Sequence, residues 1–340
     1  MDTAKEAASG LMRAVVLAEP GGQLKVTQVA RPAPRHGEAL VRIVASGVNP
    51  LDTKIHAGVA AHARQPLPAI LGMDLAGVVT AIGPGVTTFR PGDEVYGMAG
   101  GVGGHQGSLA EYMAADTALL ARKPANLSMR EAAAVPLVFI TAWEGLVDRA
   151  NIRSGDRVLV QGGAGGVGQM ALQIAKAFGA KIAAIGSSNG RSAIEALGAQ
   201  FADRSEPIAD VVARMADGRG FDIVYDTAGG ASLDASFAAV RRFGHVVSAL
   251  GWGTHALAPL SFRAASYSGV FTLLPLLTGE GRPHHGEILT EATRLADAGQ
   301  LVPVLDPRRF TMDTVEGAYR AVSDGTVRGK VVVDISEASR

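Results

Sequence analysis

The sequence predicts an α/β protein in which a doubly wound parallel sheet accompanies a β-rich, barrel-like unit. Its 340 residues exceed what one domain usually needs. The first third contains short apolar stretches separated by Pro and Gly, a pattern typical of strands and turns. From about Ser128 onward, apolar strands alternate with helical patterns, as in repeated βα units. We therefore expect one domain from residues 1–127 and 279–340 and another from 128–278.

Four stretches of the first third predict strands and their turns. They are MRAVVLAEPGG (12–22), EALVRIVASGVN (38–49), LAGVVTAIGPGV (75–86) and DEVYGMAGG (93–101). The first strand should begin near Met12, after MDTAKEAASG, which we expect to be a disordered lead-in. This lead-in lacks the apolar segment of a secretory signal.

The middle of the chain predicts the parallel sheet. Continuous runs rich in β-branched residues suit strands that are buried on both faces. The predicted strands are 157–162, 181–187, 221–229, 244–252 and 268–276, and the helices between them are 167–179, 191–199 and 233–241. Beyond these we expect helices at 287–298 and 314–323 and a closing strand at 330–335.

Composition narrows the function classes. Hydrophobic residues make up 47% of the chain, and 32 basic residues balance 32 acidic ones. Nothing in this balance predicts a nucleic-acid or membrane partner, and no apolar run is long enough to span a bilayer. There is no cysteine, which excludes disulfides and thiolate zinc sites. We expect a soluble, cytoplasmic protein.

A glycine-rich stretch, QGGAGGVGQM, predicts a dinucleotide site. Gly163, Gly165 and Gly168 form G-x-G-x-x-G directly after a predicted strand and at the start of an amphipathic helix. In the Rossmann fold this arrangement brings backbone amides and the helix dipole to a pyrophosphate. The similar run 97–107 precedes a predicted strand and has no helix terminus to offer. The predicted contacts are Gly163, Ala164, Gly165, Gly166, Val167 and Gly168.

The end of the second predicted strand indicates the cofactor. NAD sites place an acid there for the ribose 2′-hydroxyl, but residues 185–191 contain none. Hydroxyls and guanidinium groups suit a 2′-phosphate, so Ser187, Ser188 and Arg191, with Arg204 on the same rim, favour NADPH. The alternative is that Arg191 is an ordinary solvated residue at a helix start.

Several longer phrases resemble the medium-chain dehydrogenase/reductase superfamily, and most closely its zinc-independent quinone oxidoreductase branch. They are GVNPLDTKIHAG (47–58), LGMDLAGVVTAIGPGV (71–86), FRPGDEVYG (89–97), GSLAEYM (107–113), AAAVPLVFITAWEGL (132–146), VLVQGGAGGVGQMALQIAKAFGA (158–180), FDIVYDTAGG (221–230) and GKVVVDI (329–335). The resemblance implies a GroES-like catalytic domain beside the Rossmann domain. It also implies hydride transfer from NADPH to a small electrophilic substrate, either an enone C=C bond or a quinone.

Zinc chemistry is not expected. Zinc-dependent relatives carry Gly-His-Glu where this chain has Gly72-Met73-Asp74, and they use a cysteine ligand. Methionine does not replace histidine at such a zinc. Of the eight histidines, His284 and His285 are adjacent and the other six are scattered, so they do not rebuild the site.

The resemblance carries particular residues over. Asn49 matches the asparagine near the nicotinamide and the substrate carbonyl, and Thr141 matches the threonine on the nicotinamide side; these two are the predicted catalytic residues. Each has a plainer alternative, a turn residue before Pro50 and a buried helix threonine. The predicted nicotinamide neighbours are Leu250, Gly251 and Trp252, with Phe271 as a cover and Lys330 close to the cofactor. For Lys330, a solvated strand start is equally consistent.

Two departures from the family leave alternatives open. Lys54 replaces a tyrosine that quinone reductases often carry, which puts the quinone substrate in doubt. The pair Asp203-Arg204 replaces an Asn-Tyr pair, so the tyrosine that would stack on the adenine is missing, and Arg204 is expected to reinforce 2′-phosphate binding instead. Water, Tyr96, Lys54 and His56 are candidate proton donors, and Asp52 is expected to orient backbone. An acyl-thioester enoyl reductase and a non-catalytic NADPH-binding module remain alternatives.

Members of this family often dimerise by pairing the edge strands of their dinucleotide sheets. The apolar stretch 268–274 would otherwise be an exposed edge, so it predicts a homodimer.

Overall fold

The computed structural model describes residues 10–336, and its N-terminal part is mostly antiparallel strand. The predicted lead-in falls largely on residues 1–9, which lie outside the described residues. The strands are β1 (Leu11–Leu17), β2 (Leu24–Ala30), β3 (Glu38–Val48), β4 (Ala69–Ile70), β5 (Asp74–Ile82), β6 (Glu94–Met98), β7 (Tyr112–Asp116) and β8 (Leu120–Arg122). Three helices follow or interrupt them: α1 (Pro50–His56), α2 (Met129–Ala133) and α3 (Pro136–Trp143). All four predicted strand regions are confirmed.

The middle of the chain forms a six-stranded sheet in which every strand pair is parallel. Its strands are β9 (Arg157–Gln161), β10 (Lys181–Gly186), β11 (Gln200–Asp203), β12 (Phe221–Asp226), β13 (Val240–Ser248) and β14 (Ser266–Gly269). The helices are α4 (Gly166–Ala177), α5 (Arg191–Ala196), α6 (Ile208–Met215), α7 (Ala231–Ala239) and α8 (Ala258–Ser261). The order β11-β10-β9-β12-β13-β14 is that of a doubly wound Rossmann sheet, as predicted.

One predicted strand is wrong. Residues 268–276 were expected to form a continuous apolar strand, but β14 ends at Gly269 and the chain turns before the helix α9 (Leu274–Thr278). Pro275 lies in the first turn of α9, where its missing N–H group costs nothing. The apolar run is therefore divided between a turn and a helix, and the edge strand itself is the polar stretch SYSG.

The C-terminal part returns to the antiparallel sheets. It contains α10 (Arg282–Asp297), β15 (Phe310–Thr311), α11 (Val315–Ser323) and β16 (Val331–Asp334). A seven-stranded sheet has the order β15-β16-β3-β5-β6-β8, with β7 also on β3, and a three-stranded sheet has the order β2-β1-β4. Strand β16 pairs antiparallel with β3, from Val331 opposite Val48 to Asp334 opposite Ala45, and so joins the C-terminal part of the chain to the N-terminal sheet.

Two compact units result. Among the described residues, one unit contains 10–137 and 273–336, and the other is Val138–Thr272. The second unit has a core in which side chains of the sheet, such as Leu159 and Val224, pack with Phe237 of α7. Within residues 10–336, no helix combines the length and the apolar character that crossing a membrane requires.

Candidate functional site

The predicted phosphate loop connects β9 to α4. Gly165 precedes the helix, which begins at Gly166. The Gly163 N–H group donates to the carbonyl of Ile185 at 3.1 Å and so ties the loop to β10. The first amides of a helix have no intrahelical acceptor, so those of residues 166–168 point toward an anion site together with the positive end of the helix dipole.

The space around the loop explains its glycines. A Cβ atom on Gly168 would lie 2.3 Å from the Gly162 carbonyl oxygen, and one on Gly163 would lie 2.4 Å from the Cβ of Ala184. At Gly165 the nearest atom would be the Gly162 oxygen at 3.3 Å, with open space beyond. The outer glycines therefore permit close packing, while Gly165 leaves room for a pyrophosphate against the backbone. The loop fits a dinucleotide.

The four residues predicted for the 2′-phosphate lie beside this loop. Residues Ser188–Gly190 form a single 3₁₀ turn after β10. A Cβ atom on Gly190 would lie 2.6 Å from the Cβ of Ala164, so the turn packs against the phosphate loop. The N–H group of Arg204 donates to the Gly186 carbonyl at 2.9 Å. The structure thus gathers all four at the carboxyl end of the sheet: Ser187, Ser188, Arg191 and Arg204.

Two of these side chains, Ser188 and Arg191, form hydrogen bonds with neighbouring carboxylates. Ser188 Oγ donates to one oxygen of Asp203 at 2.7 Å, and Ser205 Oγ donates to the other at 2.7 Å. These hydrogen bonds lower the pKa of Asp203 to about 2. Arg191 Nε donates to Glu195 at 2.8 Å, and its guanidinium lies 5.2 Å from the ring centre of Phe201. Strand β11, which the sequence did not reveal, thus adds a carboxylate to this rim.

The residues predicted beside the nicotinamide follow β13. The Leu250 N–H group donates to Ser248 Oγ at 3.0 Å, and that hydroxyl donates to the buried Asp226 at 2.7 Å. Beyond Gly251, the indole of Trp252 meets the ring of Phe271 edge to face, with centres 6.3 Å apart. Leu250, Gly251, Trp252 and Phe271 therefore lie together at the carboxyl end of the sheet.

Thr141 is buried in α3 and belongs to a chain of polar groups. Its hydroxyl lies 3.0 Å from that of Thr272, which donates to Glu144 at 2.9 Å. The Tyr225 hydroxyl donates to the Thr141 carbonyl at 2.6 Å. Glu144 begins a π-helical segment, Glu144–Arg149, and such segments are frequent at functional sites. Thr272 is 131 positions away, so no local pattern could reveal this contact.

Asn49 lies in a buried polar cluster with Lys330 and Asp74. Its Nδ2 group donates to Asp74 at 2.9 Å, and its Oδ1 atom accepts a hydrogen bond from Lys330 Nζ. Lys330 Nζ also donates to the Val48 carbonyl at 3.2 Å and lies 3.7 Å from Asp74. Burial raises the pKa of Asp74 and lowers that of Lys330. The alternative of a solvated Lys330 is wrong.

Asp52 adds a second carboxyl to this cluster. It accepts a hydrogen bond from the Asn49 N–H group at 2.8 Å, the backbone-orienting contact that was expected. Its other oxygen and the Tyr319 hydroxyl are buried and lack a hydrogen-bond partner among the described residues. Burial raises the pKa of Asp52 to about 7. No motif of the sequence points to Tyr319.

The three side chains predicted as candidate proton donors differ in burial and in hydrogen bonding. Tyr96 is buried and donates its hydroxyl to the Leu289 carbonyl at 2.6 Å, and burial raises its pKa. It is therefore a poor donor. His56 Nε2 lies 2.8 Å from the Gly22 carbonyl, while Lys54 is exposed.

The described residues contain no cluster of metal ligands. Met73, where zinc-dependent relatives have histidine, is fully buried. Across residues 10–336, no three His, Asp or Glu side chains are grouped so as to hold a metal ion.

Known protein families and individual proteins are similar to this chain over most of its length. A family model described as an alcohol dehydrogenase GroES-like domain matches residues 35–125, and one described as a zinc-binding dehydrogenase matches residues 197–333. A 2-methylene-furan-3-one reductase of Solanum lycopersicum is 37% identical over 319 residues, which cover 90% of this chain and 74% of that protein. A chloroplastic NADPH-dependent alkenal/one oxidoreductase of Arabidopsis thaliana is 34% identical over 334 residues, covering 95% and 79%.

A solved structure is also similar. An alcohol dehydrogenase superfamily protein from Novosphingobium aromaticivorans shares 55% identity with a TM-score of 0.94, over 96% of this chain and all of that one. The predicted combination of a Rossmann sheet and a GroES-like domain is confirmed. The chain belongs to the medium-chain dehydrogenase/reductase superfamily, in its quinone oxidoreductase-like branch.

Proposed function

We propose that the chain is a zinc-independent oxidoreductase that uses NADPH to reduce an enone C=C bond or a quinone. The observation that carries the proposal is the phosphate loop, where Gly165 leaves open space at the start of α4. The names of the Solanum lycopersicum and Arabidopsis thaliana relatives, a 2-methylene-furan-3-one reductase and an NADPH-dependent alkenal/one oxidoreductase, support this reaction. Bound NADPH supplies the hydride.

Residues of the parallel-sheet unit would bind the cofactor. The loop 163–168 would hold the pyrophosphate. Hydroxyls and guanidinium groups at the neighbouring rim would face the 2′-phosphate, from Ser187, Ser188, Arg191 and Arg204. Residues 250–252, Phe271 and Thr141 would line the nicotinamide. The shared position of these groups at the carboxyl end of the sheet supports the assignment.

Asn49 and Lys330 would act on the substrate carbonyl. An amide nitrogen carries two N–H groups, and Asp74 accepts from Asn49 Nδ2 at 2.9 Å. We assign the other N–H group to the substrate oxygen, where negative charge develops during reduction. The nearby ammonium of Lys330 strengthens that donor by accepting electron density through Asn49 Oδ1. Water would supply the proton to the substrate carbon.

Zinc independence rests on the donor set. A catalytic zinc needs three protein ligands drawn from Cys, His, Asp or Glu, while the chain has no cysteine and carries Met73 at the histidine position. We further propose that residues 1–127 and 279–340 form the GroES-like catalytic domain and 128–278 the Rossmann domain.

We propose a homodimer. Strand β14 ends the parallel sheet, and Phe262, just before it, is 83% exposed. Light scattering should give twice the chain mass of 34.9 kDa, and Phe262→Lys should shift the mass toward the monomer. A monomeric wild type would refute the dimer.

We also propose a cytoplasmic location and no nucleic-acid or membrane partner. The balance of 32 basic and 32 acidic residues supports the absence of an electrostatic partner.

A substrate panel tests the reaction. NADPH oxidation is followed by absorbance with quinones, enones, aldehydes and an acyl-thioester enone. Turnover of enones or quinones supports the proposal. A strong preference for the thioester would favour an acyl-thioester enoyl reductase, and nucleotide binding without turnover would favour a non-catalytic module. As a control, Asn126→Ala should leave turnover near the wild-type value, whereas Asn49→Ala should lower it about 100-fold.

A further inference from the structure

Asp203 occupies an unexpected place in the parallel-sheet unit. It is the last residue of β11 and lies opposite Gly186 of β10 in the parallel register. Gly186 is followed by the turn 187–190, which packs against the phosphate loop. Asp203 therefore lies at the rim to which the proposed function assigns the 2′-phosphate of NADPH.

The hydrogen bond from Ser188 determines what this rim offers to a ligand. A serine hydroxyl carries one proton, and Ser188 donates it to Asp203 at 2.7 Å. While this bond holds, Ser188 presents only lone pairs to a ligand, and it donates to the 2′-phosphate assigned to it above only by giving up the bond to Asp203. Lone pairs accept from the 2′-hydroxyl of a ribose, whereas the oxygens of a phosphate require donors.

The charges of the rim also balance. Arg191 is paired with Glu195 at 2.8 Å, and Arg204 lies near enough to Asp203 to lower its pKa further. Two cations are thus matched by two anions. The carboxylate of Asp203 stays ionised at any working pH, because hydrogen bonds from Ser188 and Ser205 hold its pKa at about 2.

We infer that Asp203 is a specificity-determining residue, which restrains the preference for a 2′-phosphate so that the site takes NADH as well as NADPH. The inference rests on the proposed function for the position of the cofactor. The inference goes beyond the proposed function in naming the residue that sets the preference between NADPH and NADH. That residue is a carboxylate at the end of β11, not at the end of β10 where NAD sites usually have one, and it acts partly through Ser188.

Binding of 2′,5′-ADP and 5′-ADP, measured by calorimetry on the full chain, tests this without turnover. Asp203→Asn keeps an oxygen that can accept from Ser188 but removes the charge. We expect it to bind 2′,5′-ADP about 5- to 10-fold more tightly and 5′-ADP within about twofold of the wild type. High salt should shrink the first difference, since the effect is Coulombic. In the wild type, the two affinities should differ by less than about tenfold.

Two more variants separate local from general charge effects. Asp217→Asn makes the same charge change, but Asp217 pairs with Arg157 at the opposite, amino end of the sheet, so both affinities should stay within about twofold of the wild type. Glu195→Gln releases Arg191 and should also tighten 2′,5′-ADP binding.

Unchanged or weaker 2′,5′-ADP binding by Asp203→Asn would overturn the inference, as would an equal gain in Asp217→Asn. Failure of the wild type to bind either nucleotide would overturn it together with the cofactor assignment. Absence of turnover in the substrate panel, with the binding shifts intact, would reject the proposed reaction and leave this inference supported.

Discussion

The amide of Asn49 is held from two sides by groups that are themselves buried. Asp74 accepts from its nitrogen, and Lys330 donates to its oxygen. This polarity distinguishes the two ends of the amide, so Asn49 has one orientation. Each partner also compensates the other's charge, since burying an isolated ammonium or carboxylate costs several kcal/mol.

Removing the ammonium of Lys330 should show how far stability and the orientation of Asn49 depend on it. Lys330→Met keeps the length of the side chain but leaves Asp74 without its cation. We expect the free energy of unfolding to fall by about 3–5 kcal/mol, and turnover to fall because the Asn49 amide loses its fixed orientation. Urea unfolding and steady-state kinetics measure both. Lys181→Met, at an exposed lysine, is the control and should change neither; equal effects of the two variants would contradict the role of Lys330.

Asp52 should make stability depend on pH. Burial raises its pKa from 3.8 to about 7, with Asp74 adding to the rise and Lys330 opposing it. The folded state therefore binds this proton more tightly than the unfolded chain does. The contribution of Asp52 is fully present below about pH 4 and is lost as the pH rises through about 7.

Asp52→Asn removes this titration. Relative to the wild type, the variant should gain about 1–3 kcal/mol of unfolding free energy between about pH 5 and about pH 8. Denaturant unfolding at the two pH values gives the difference. Glu19→Gln, at an exposed glutamate, should show no such gain. A constant difference for Asp52→Asn would mean that its folded-state pKa is not raised.

Individual contacts of this kind were only partly predictable. Family motifs pointed to Asn49, Thr141 and Lys330, but they could not say that Lys330 is buried, because its partner Asn49 lies 281 positions away. From the sequence, Asp203 stands out only as a departure from a family pattern. Its contact with Ser188 depends on the pairing of β11 with β10, which one sequence does not reveal.

At the scale of elements, the glycines of the loop between β9 and α4 are needed for different reasons: Gly168 for close packing and Gly165 for open space. Gly168→Ala would bring a Cβ atom within 2.3 Å of a backbone oxygen, so we expect a loss of about 1–3 kcal/mol in stability. Gly165 has φ −72°, which alanine adopts readily, so Gly165→Ala should keep stability within about 0.5 kcal/mol.

The same substitution should nevertheless weaken nucleotide binding, because the new methyl group would occupy the open space beside the amides. Thermal unfolding and NADPH titration distinguish the two variants. The assignment fails if Gly165→Ala binds NADPH as the wild type does, or if Gly168→Ala is as stable as the wild type.

Predictions of elements succeeded where the pattern was long. The run at 157–162 and the amphipathic helix at 167–179 correspond to β9 and α4. Strand β11 has only four residues, QFAD, too few for a periodic signal. The predicted strand 268–276 failed because apolar content alone does not separate a buried strand from a helix, and Pro275 begins a helix there.

For the whole molecule, balanced charge should govern solubility. The 32 basic and 32 acidic residues cancel, and the isoelectric point is about 7.1. Since proteins near zero net charge associate most readily, solubility in a precipitant series should be lowest near pH 7. Replacing the exposed residues Lys25 and Lys181 by glutamate should move the minimum to lower pH. A minimum that stayed in place would show that apolar surface, rather than net charge, controls association.

The pairing of Asn49 with Lys330 also has a consequence for biosynthesis. Translation proceeds from the N-terminus at about 5–20 residues per second, so the phosphate loop and the rest of Val138–Thr272 are made before Lys330 is added. A nascent chain is therefore expected to acquire nucleotide binding first and a fixed Asn49 amide last. Products of premature termination before Lys330 are therefore expected to bind the cofactor without consuming it.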